Sequence, residues 1–170
     1  MFFLSEASAN PINGKKATDE TINAPYLQKN PKRFQLVFFG YVGCQKVCTP
    51  MLHELSAFYE SPRFSPLKPL VGFSFVNLVP EMEPHLPQAY AHGINRNFIG
   101  IHLNQKELDS IDKEFSLFIA KRLNEPGELD HSDHLYLIER DKNGTLLLKN
   151  IYHTHPLDKE KVIADIKAML

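Results

Sequence analysis

The 170-residue sequence has few of the features that mark the specialised classes of protein. Only two residues are cysteine, too few for a small domain held together by disulfide bonds. No apolar run approaches the roughly 18 residues of a membrane span. The 19 basic and 20 acidic residues give a formal net charge of -1, which argues against a basic surface for nucleic acid. A soluble globular domain with no nucleic-acid partner is therefore expected.

The composition that is present fits this class. Apolar residues make up 43% of the chain and charged residues 23%, both near globular averages. A chain of this length buries about 70% of its unfolded surface, so it needs no crosslink to fold. Residues 1–28 mix polar, charged and proline residues without a sustained period, which predicts an extended arm or linker. Residues 29–170 are predicted to form a single domain.

Short apolar runs alternate with segments of helical period in the rest of the chain. The runs that predict buried strands occupy residues 34–39, 70–78 and 98–101. The segments that predict helices occupy residues 51–60, 83–92, 105–122 and 159–170. Asn143-Gly144, between apolar segments at 134–139 and 145–152, predicts a hairpin. This order predicts an α/β fold with a central mixed sheet flanked by helices and an irregular amino-terminal arm.

The two cysteines, Cys44 and Cys48, lie between the first core strand and a helix. Thr49 is the predicted N-cap of that helix and Pro50 its first residue. Open α/β sheets place their sites at this end of the strands, and the positive end of a helix favours a thiolate. A disulfide that closes so short a loop contributes only about 2 kcal/mol, so the pair indicates chemistry, either redox exchange or a soft-metal site. Strand, dithiol, helix and terminal hairpin together predict a thioredoxin-like fold.

Three segments carry a resemblance to a known family. Residues 39–50 read FGYVGCQKVCTP and are similar to the F-G-Y-T-x-C-P-D-V-C-P signature of the Sco/SenC family. Residues 129–137, LDHSDHLYL, resemble that family's V-D-H-S segment before a strand that ends in Y-L. Residues 96–100, RNFIG, resemble its R-F-I-G-L stretch. The resemblance covers residues 34–170 and leaves the amino-terminal arm without support.

The resemblance implies a copper metallochaperone that delivers copper to the dinuclear copper site of cytochrome c oxidase. The family's ligands are the two thiolates of the motif and the histidine of the Asp-His-Ser segment, here Cys44, Cys48 and His131. Thiolates are soft ligands that suit Cu(I), imidazole is an acceptable third ligand, and a structural zinc site usually closes with four. The expected cargo is copper, as Cu(I) or Cu(II). The expected partners are the copper-site subunit of the oxidase or another cuproprotein, together with other copper chaperones.

The motif departs from the family pattern beside the thiols. Gln45 and Lys46 stand where the family has Pro-Asp, and Val79-Pro80 stands where an acidic residue commonly follows the second core strand. These differences change the charge around the thiols and leave the three candidate ligands intact. They therefore bear on the transfer partner more than on the metal.

Two other functions would use the same dithiol. In a thiol-disulfide oxidoreductase, Cys44 or Cys48 would be the catalytic, redox-active residue that attacks a disulfide, and its partner would resolve the intermediate. Ordinary oxidoreductases have a CxxC spacing, and His131 has no necessary part in exchange. A copper or redox sensor is the third alternative, and it rests on no feature beyond the same site.

The remaining histidines are expected to lie outside the site. The alternative role for His134 is that of a fourth donor, but it is predicted to sit on a strand face that points elsewhere. His153 and His155 would lie on one side of a strand, a spacing that suits a metal, but they are expected to be surface residues in a loop before Pro156. Met51 is expected in the core rather than as a thioether ligand. No role is assigned to His53, His85, His92 or His102.

The expected location follows from the role that the resemblance implies. A copper carrier for oxidase assembly belongs in the periplasm, tethered to a membrane and facing the periplasm, or in the intermembrane space if the protein is mitochondrial. Family members are usually tethered by an amino-terminal membrane helix, and residues 1–28 contain no such segment. An anchor is therefore expected to have been removed or never to have existed.

Overall fold

The structure is a computed structural model that describes residues 20–43, 48–111, 120–122, 125–130 and 134–170. Its centre is a six-stranded sheet built from β1 (Glu20–Thr21), β2 (Phe34–Gly40), β3 (Val71–Asn77), β4 (Ile99–His102), β7 (His134–Arg140) and β8 (Leu146–His153). A second sheet pairs β5 (Ala120–Arg122) with β6 (Glu125–Asp130). The helices of the described ranges are α1 (Cys48–Tyr59), α2 (Leu86–Ile94), α3 (Gln105–Asp109) and α4 (Lys159–Lys167). None of these described helices is long and apolar enough to cross a membrane.

The large sheet is mixed, as predicted. Its strands lie in the order β1-β8-β7-β2-β3-β4. β2, β3 and β4 are parallel, while β7 runs antiparallel to both of its neighbours, β2 and β8. Parallel neighbours need a crossover, and α1 and α2 supply the connections from β2 to β3 and from β3 to β4. β2 and β3 are buried at every position, which explains why most of their residues are apolar.

Both faces of the large sheet are covered. On the face that we call the α1 face, Phe38 of β2 belongs to one core cluster with Leu55 of α1 and Val162 of α4. On the opposite face, Phe39 of β2 belongs to a second cluster with Leu27. Because neighbouring residues of a strand point to opposite faces, β2 contributes to both cores. Each face therefore buries its own apolar layer.

Part of the predicted amino-terminal arm joins this structure. Glu20 and Thr21 form β1 and pair with β8, and Pro25–Lys29 form a short 3-10 helix. Ile22 and Leu27 are buried in the core cluster on the opposite face. Burial of these apolar side chains removes them from water and holds residues 20–29 against the sheet.

The helix predicted over residues 105–122 is wrong at its carboxyl end. α3 begins at a capping box formed by Asn104 and Glu107 and ends at Asp109, and residues 112–119 lie outside the described residues. Residues 120–122 form β5, in which Ala120 pairs with Asp130. Pairing with a downstream segment thus overrides the helical period of the local sequence, and the β5–β6 hairpin was not predicted.

Candidate metal centre

The carboxyl end of β2 leads directly into the cysteine motif. Hydrogen bonds join its backbone to the end of β3 and the segment that follows. The backbone N–H of Leu78 donates to the Gly40 carbonyl at 2.7 Å. The backbone N–H of Val42 donates to the side-chain oxygen of Asn77 at 3.2 Å. Asn77 is fully buried, and its side-chain nitrogen donates to the Val79 carbonyl at 2.9 Å. The buried Asn77 amide therefore holds two segments together, the one that leads to the cysteines and the one that leaves β3.

Replacing Asn77 by alanine is expected to lower the free energy of unfolding by about 1–3 kcal/mol, because it leaves the Val42 N–H and the Val79 carbonyl without this partner. Urea unfolding of the purified variant measures the change. The control is Asn97→Ala, an exposed position at which a change within about 0.5 kcal/mol is expected. Equal unfolding midpoints for the two variants would show that the Asn77 amide does not hold this loop.

The start of α1 differs from the prediction. The helix begins at Cys48 rather than at Pro50, so Thr49 lies in its first turn and is not the N-cap. The Thr49 hydroxyl lies 2.5 Å from the Tyr90 hydroxyl of α2, which ties the first turn of α1 to the neighbouring helix. Met51 is 3% exposed and belongs to the core on the α1 face, as expected. Cys44 lies outside the described residues. The structure describes the backbone before it, through Gly43, and after it, from Cys48.

The Asp-His-Ser segment leads into β7 at the same edge of the sheet. Phe38 of β2 pairs with Leu135 of β7 in antiparallel register, so the carboxyl end of β2 lies beside the amino end of β7. His131 itself lies outside the described residues, between the end of β6 and His134, the first residue of β7. The segments that contain Cys44 and His131 therefore connect to neighbouring strand ends.

Within the described residues, no group of three or more histidine, cysteine, aspartate or glutamate residues is arranged to hold a metal ion. Tyr152 of β8, opposite Leu135, is a neutral donor, because burial raises the pKa of its phenol. Its hydroxyl donates to the Asp165 carboxylate of α4 at 2.7 Å, so it supplies no anionic ligand.

The structure also brings together two histidines that were expected to have no shared role. His134 and His153 lie directly opposite each other in the pairing of β7 with β8, with ring centroids 5.1 Å apart. One-to-one pairing counted back from the turn would place Tyr152 opposite His134. An extra residue in β8, Lys149, shifts the register by one and brings His153 there instead. Because the sequence carries no signal for this bulge, sequence reasoning missed the pair.

The fold defines the class of protein. Three parallel strands, an antiparallel hairpin beside them and a helix that begins at the second cysteine of the motif make this a thioredoxin-like protein. A sequence model of the SCO1/SenC family matches residues 17–170. The chain belongs to the SCO1/SenC family, which confirms the resemblance found in its sequence motifs.

Solved structures resemble the chain over most of its length. Apo Sco1 from Thermus thermophilus is 26% identical, with a TM-score of 0.64 over 91% of this chain and 92% of that one. Bradyrhizobium japonicum ScoI, solved with copper bound, is 23% identical, with a TM-score of 0.64 over 84% and 88%. BsSco, described as a member of the Sco family of cytochrome c oxidase assembly proteins with a disulfide switch, is 14% identical, with a TM-score of 0.57 over 90% and 96%. No curated protein matches the chain in sequence.

Proposed function

We propose that the chain is a copper metallochaperone that binds Cu(I) through Cys44, Cys48 and His131. The observation that carries the proposal is the antiparallel pairing of Phe38 with Leu135. This pairing places the carboxyl end of β2, which precedes the cysteines, beside the amino end of β7, which follows the histidine. Membership of the SCO1/SenC family and the copper held by Bradyrhizobium japonicum ScoI support copper as the cargo.

The donor set suits a carrier that must release its metal. Two thiolates are soft ligands for Cu(I), and one imidazole completes a three-ligand shell that leaves room for an incoming ligand of the acceptor. A cysteine at the first residue of a helix, as Cys48 is in α1, is favoured as the thiolate because the helix amino terminus carries partial positive charge. Lys46, between the two cysteines in sequence, would offset part of the negative charge of the Cu(I) dithiolate.

The proposed acceptor is the dinuclear copper site of cytochrome c oxidase, and the alternatives are another cuproprotein or another copper chaperone. BsSco's description as an oxidase assembly protein supports this choice. The proposed place of action is the periplasm, or the intermembrane space of a mitochondrion, because the acceptor is metallated there. A membrane tether that faces this compartment would keep the carrier near its acceptor.

A thiol-disulfide oxidoreductase that keeps the cysteines of a partner reduced is the second candidate. The start of α1 at Cys48 favours it, since a thiolate at a helix amino terminus is the reactive form in disulfide exchange. In that reaction one thiolate attacks the partner's disulfide to give a mixed disulfide. The second thiolate then displaces the partner's thiol, so the chain is oxidised and the partner is reduced by two electrons.

Titration of the fully reduced chain with Cu(I) under anaerobic conditions, against a chromogenic Cu(I) chelator, tests the first candidate. We expect one equivalent of Cu(I) per chain to be withdrawn from the chelator, because two thiolates and an imidazole form a single soft site. A chain that leaves all of the Cu(I) with the chelator would contradict the carrier proposal.

The two candidates differ in a second measurement, the turnover of a small disulfide by the copper-free reduced chain. A carrier is expected to react once per dithiol without sustained turnover when a reductant is supplied. Sustained turnover together with weak Cu(I) binding would favour the oxidoreductase.

A further inference from the structure

The paired histidines of the β7–β8 hairpin, His134 and His153, are not among the proposed Cu(I) ligands. His134 is half-buried and His153 is exposed, and their rings are inclined by 41° at a centroid separation of 5.1 Å. Directly opposite residues of an antiparallel pair have Cβ atoms about 4.5–5.5 Å apart, so the two side chains share one patch of the sheet. The ring of Tyr136, also on β7, lies 6.3 Å from the ring of His134.

The pair lies on the face of the sheet away from α1. Tyr136 and Ile151 are the next residues on the same side of β7 and β8, and both belong to the core cluster of the opposite face. Leu135 and Tyr152, which alternate with them, belong to the cluster of the α1 face. Because α1 begins at Cys48, the sheet separates the histidine pair from the helix that starts at the cysteine motif.

The chemistry of the pair suits a divalent transition-metal ion. The ring centroids are 5.1 Å apart. A metal bound at about 2.0–2.1 Å from each nitrogen needs two nitrogens roughly 3 Å apart, and the proposed site requires rotation of the two imidazoles about their side-chain torsions to reach that distance. Imidazole suits copper, zinc and nickel, and Cu(II) binds most tightly to a given nitrogen site among the divalent ions of the series. The pair offers no sulfur, so it lacks the soft donors that select Cu(I).

We propose that His134 and His153 form a second metal site, which chelates a divalent transition-metal ion and prefers Cu(II). Each residue supplies one neutral imidazole nitrogen, and water occupies the other positions of the metal. The site uses none of the ligands proposed for Cu(I). A test of this site therefore does not depend on whether the carrier function is correct. It would allow the chain to hold copper in both oxidation states, each at donors of matching softness.

The test uses Cu(II) as the probe and the full chain in a Cys44→Ser, Cys48→Ser, His131→Ala background, which removes the proposed Cu(I) ligands and prevents oxidation of thiols by Cu(II). Titration against glycine as the competing ligand is expected to show one equivalent bound, and electron paramagnetic resonance of the complex prepared without glycine is expected to show coupling to nitrogen. His134→Gln or His153→Gln in this background is expected to lower the affinity at least tenfold. His92→Gln, an exposed histidine of α2, is the matched control and is expected to leave it unchanged.

A second measurement needs no substitution of the pair. Substoichiometric Cu(II) is expected to broaden the ring-proton resonances of His134 and His153 before those of the other histidines. Broadening of all histidines to the same extent, or equal affinities for the His134→Gln, His153→Gln and His92→Gln variants, would overturn the proposal. Neither result would change the conclusion drawn from the Cu(I) titration of the unsubstituted chain.

Discussion

Replacing Cys44 or Cys48 by serine is expected to lower the affinity for Cu(I) by more than about a hundredfold. Loss of a group that only supports a metal ligand typically costs about 10–100-fold in affinity. Serine removes the ligand itself and offers a hard oxygen to a soft ion, so the loss is expected to be greater. His131→Ala is expected to cost less, about 10–100-fold, because both thiolates remain. The anaerobic chelator competition measures all three variants.

His92→Ala is the matched control for His131→Ala, since His92 lies exposed on α2 and is expected to leave Cu(I) affinity unchanged. Urea unfolding midpoints of the variants show whether any loss of binding reflects loss of the fold. Unchanged affinity in either cysteine variant would contradict the ligand assignment. Unchanged affinity in His131→Ala alone would reduce the site to a dithiol.

Gly100→Ala is expected to destabilise the fold by about 3 kcal/mol or more, the upper part of the usual range for overpacking a close contact. A Cβ atom at Gly100 would lie 2.0 Å from the backbone oxygen of Pro87 and 2.6 Å from the backbone nitrogen of Gln88. These are atoms of the α2 backbone, which packs directly on β4, and the Gly100 N–H also donates to the Gln88 side chain at 3.2 Å. The melting temperature is expected to fall by about 6–12 °C.

Gly93→Ala is the matched control for this prediction. Gly93 lies within α2, the helix that Gly100 contacts, and a Cβ at Gly93 would meet nothing within 4 Å. The substitution is expected to raise stability by about 0.5–1 kcal/mol, since alanine loses less backbone entropy than glycine on entering a helix. The two variants should therefore shift the melting temperature in opposite directions. A Gly100→Ala chain as stable as the wild type would show that α2 can move away from β4 at little cost.

Much of the sheet could be predicted because its signals are local. The run at 34–39 is apolar at five of six positions, and the strand forms over Phe34–Gly40. The turn at Asn143-Gly144 predicted the β7–β8 hairpin, and Gly144 has the positive φ of 85° that a residue without Cβ adopts readily. Burial and turn geometry each act over a few residues, so a short window of sequence contains the information.

Other features depend on partners distant in the chain. Gln35 is a polar residue in a buried strand, and it is accommodated because its side chain accepts from the Ser74 hydroxyl at 2.8 Å and donates to the Leu27 carbonyl at 2.9 Å. The helix predicted through residue 122 gives way to β5 because Ala120 pairs with Asp130. Neither partner can be identified from the residues around the feature itself.

The amino-acid sequence by itself determined the dithiol and its place between a strand and a helix, the α/β class, and the family through motifs spread over residues 39–137. The tertiary structure decided which strand ends are neighbours and which histidines face each other. An extra residue in β8 sets His153 rather than Tyr152 opposite His134. The physical reason is that side chains alternate between the faces of a strand, so a shift of one residue, settled by the pairing of whole strands, moves a side chain from one face to the other.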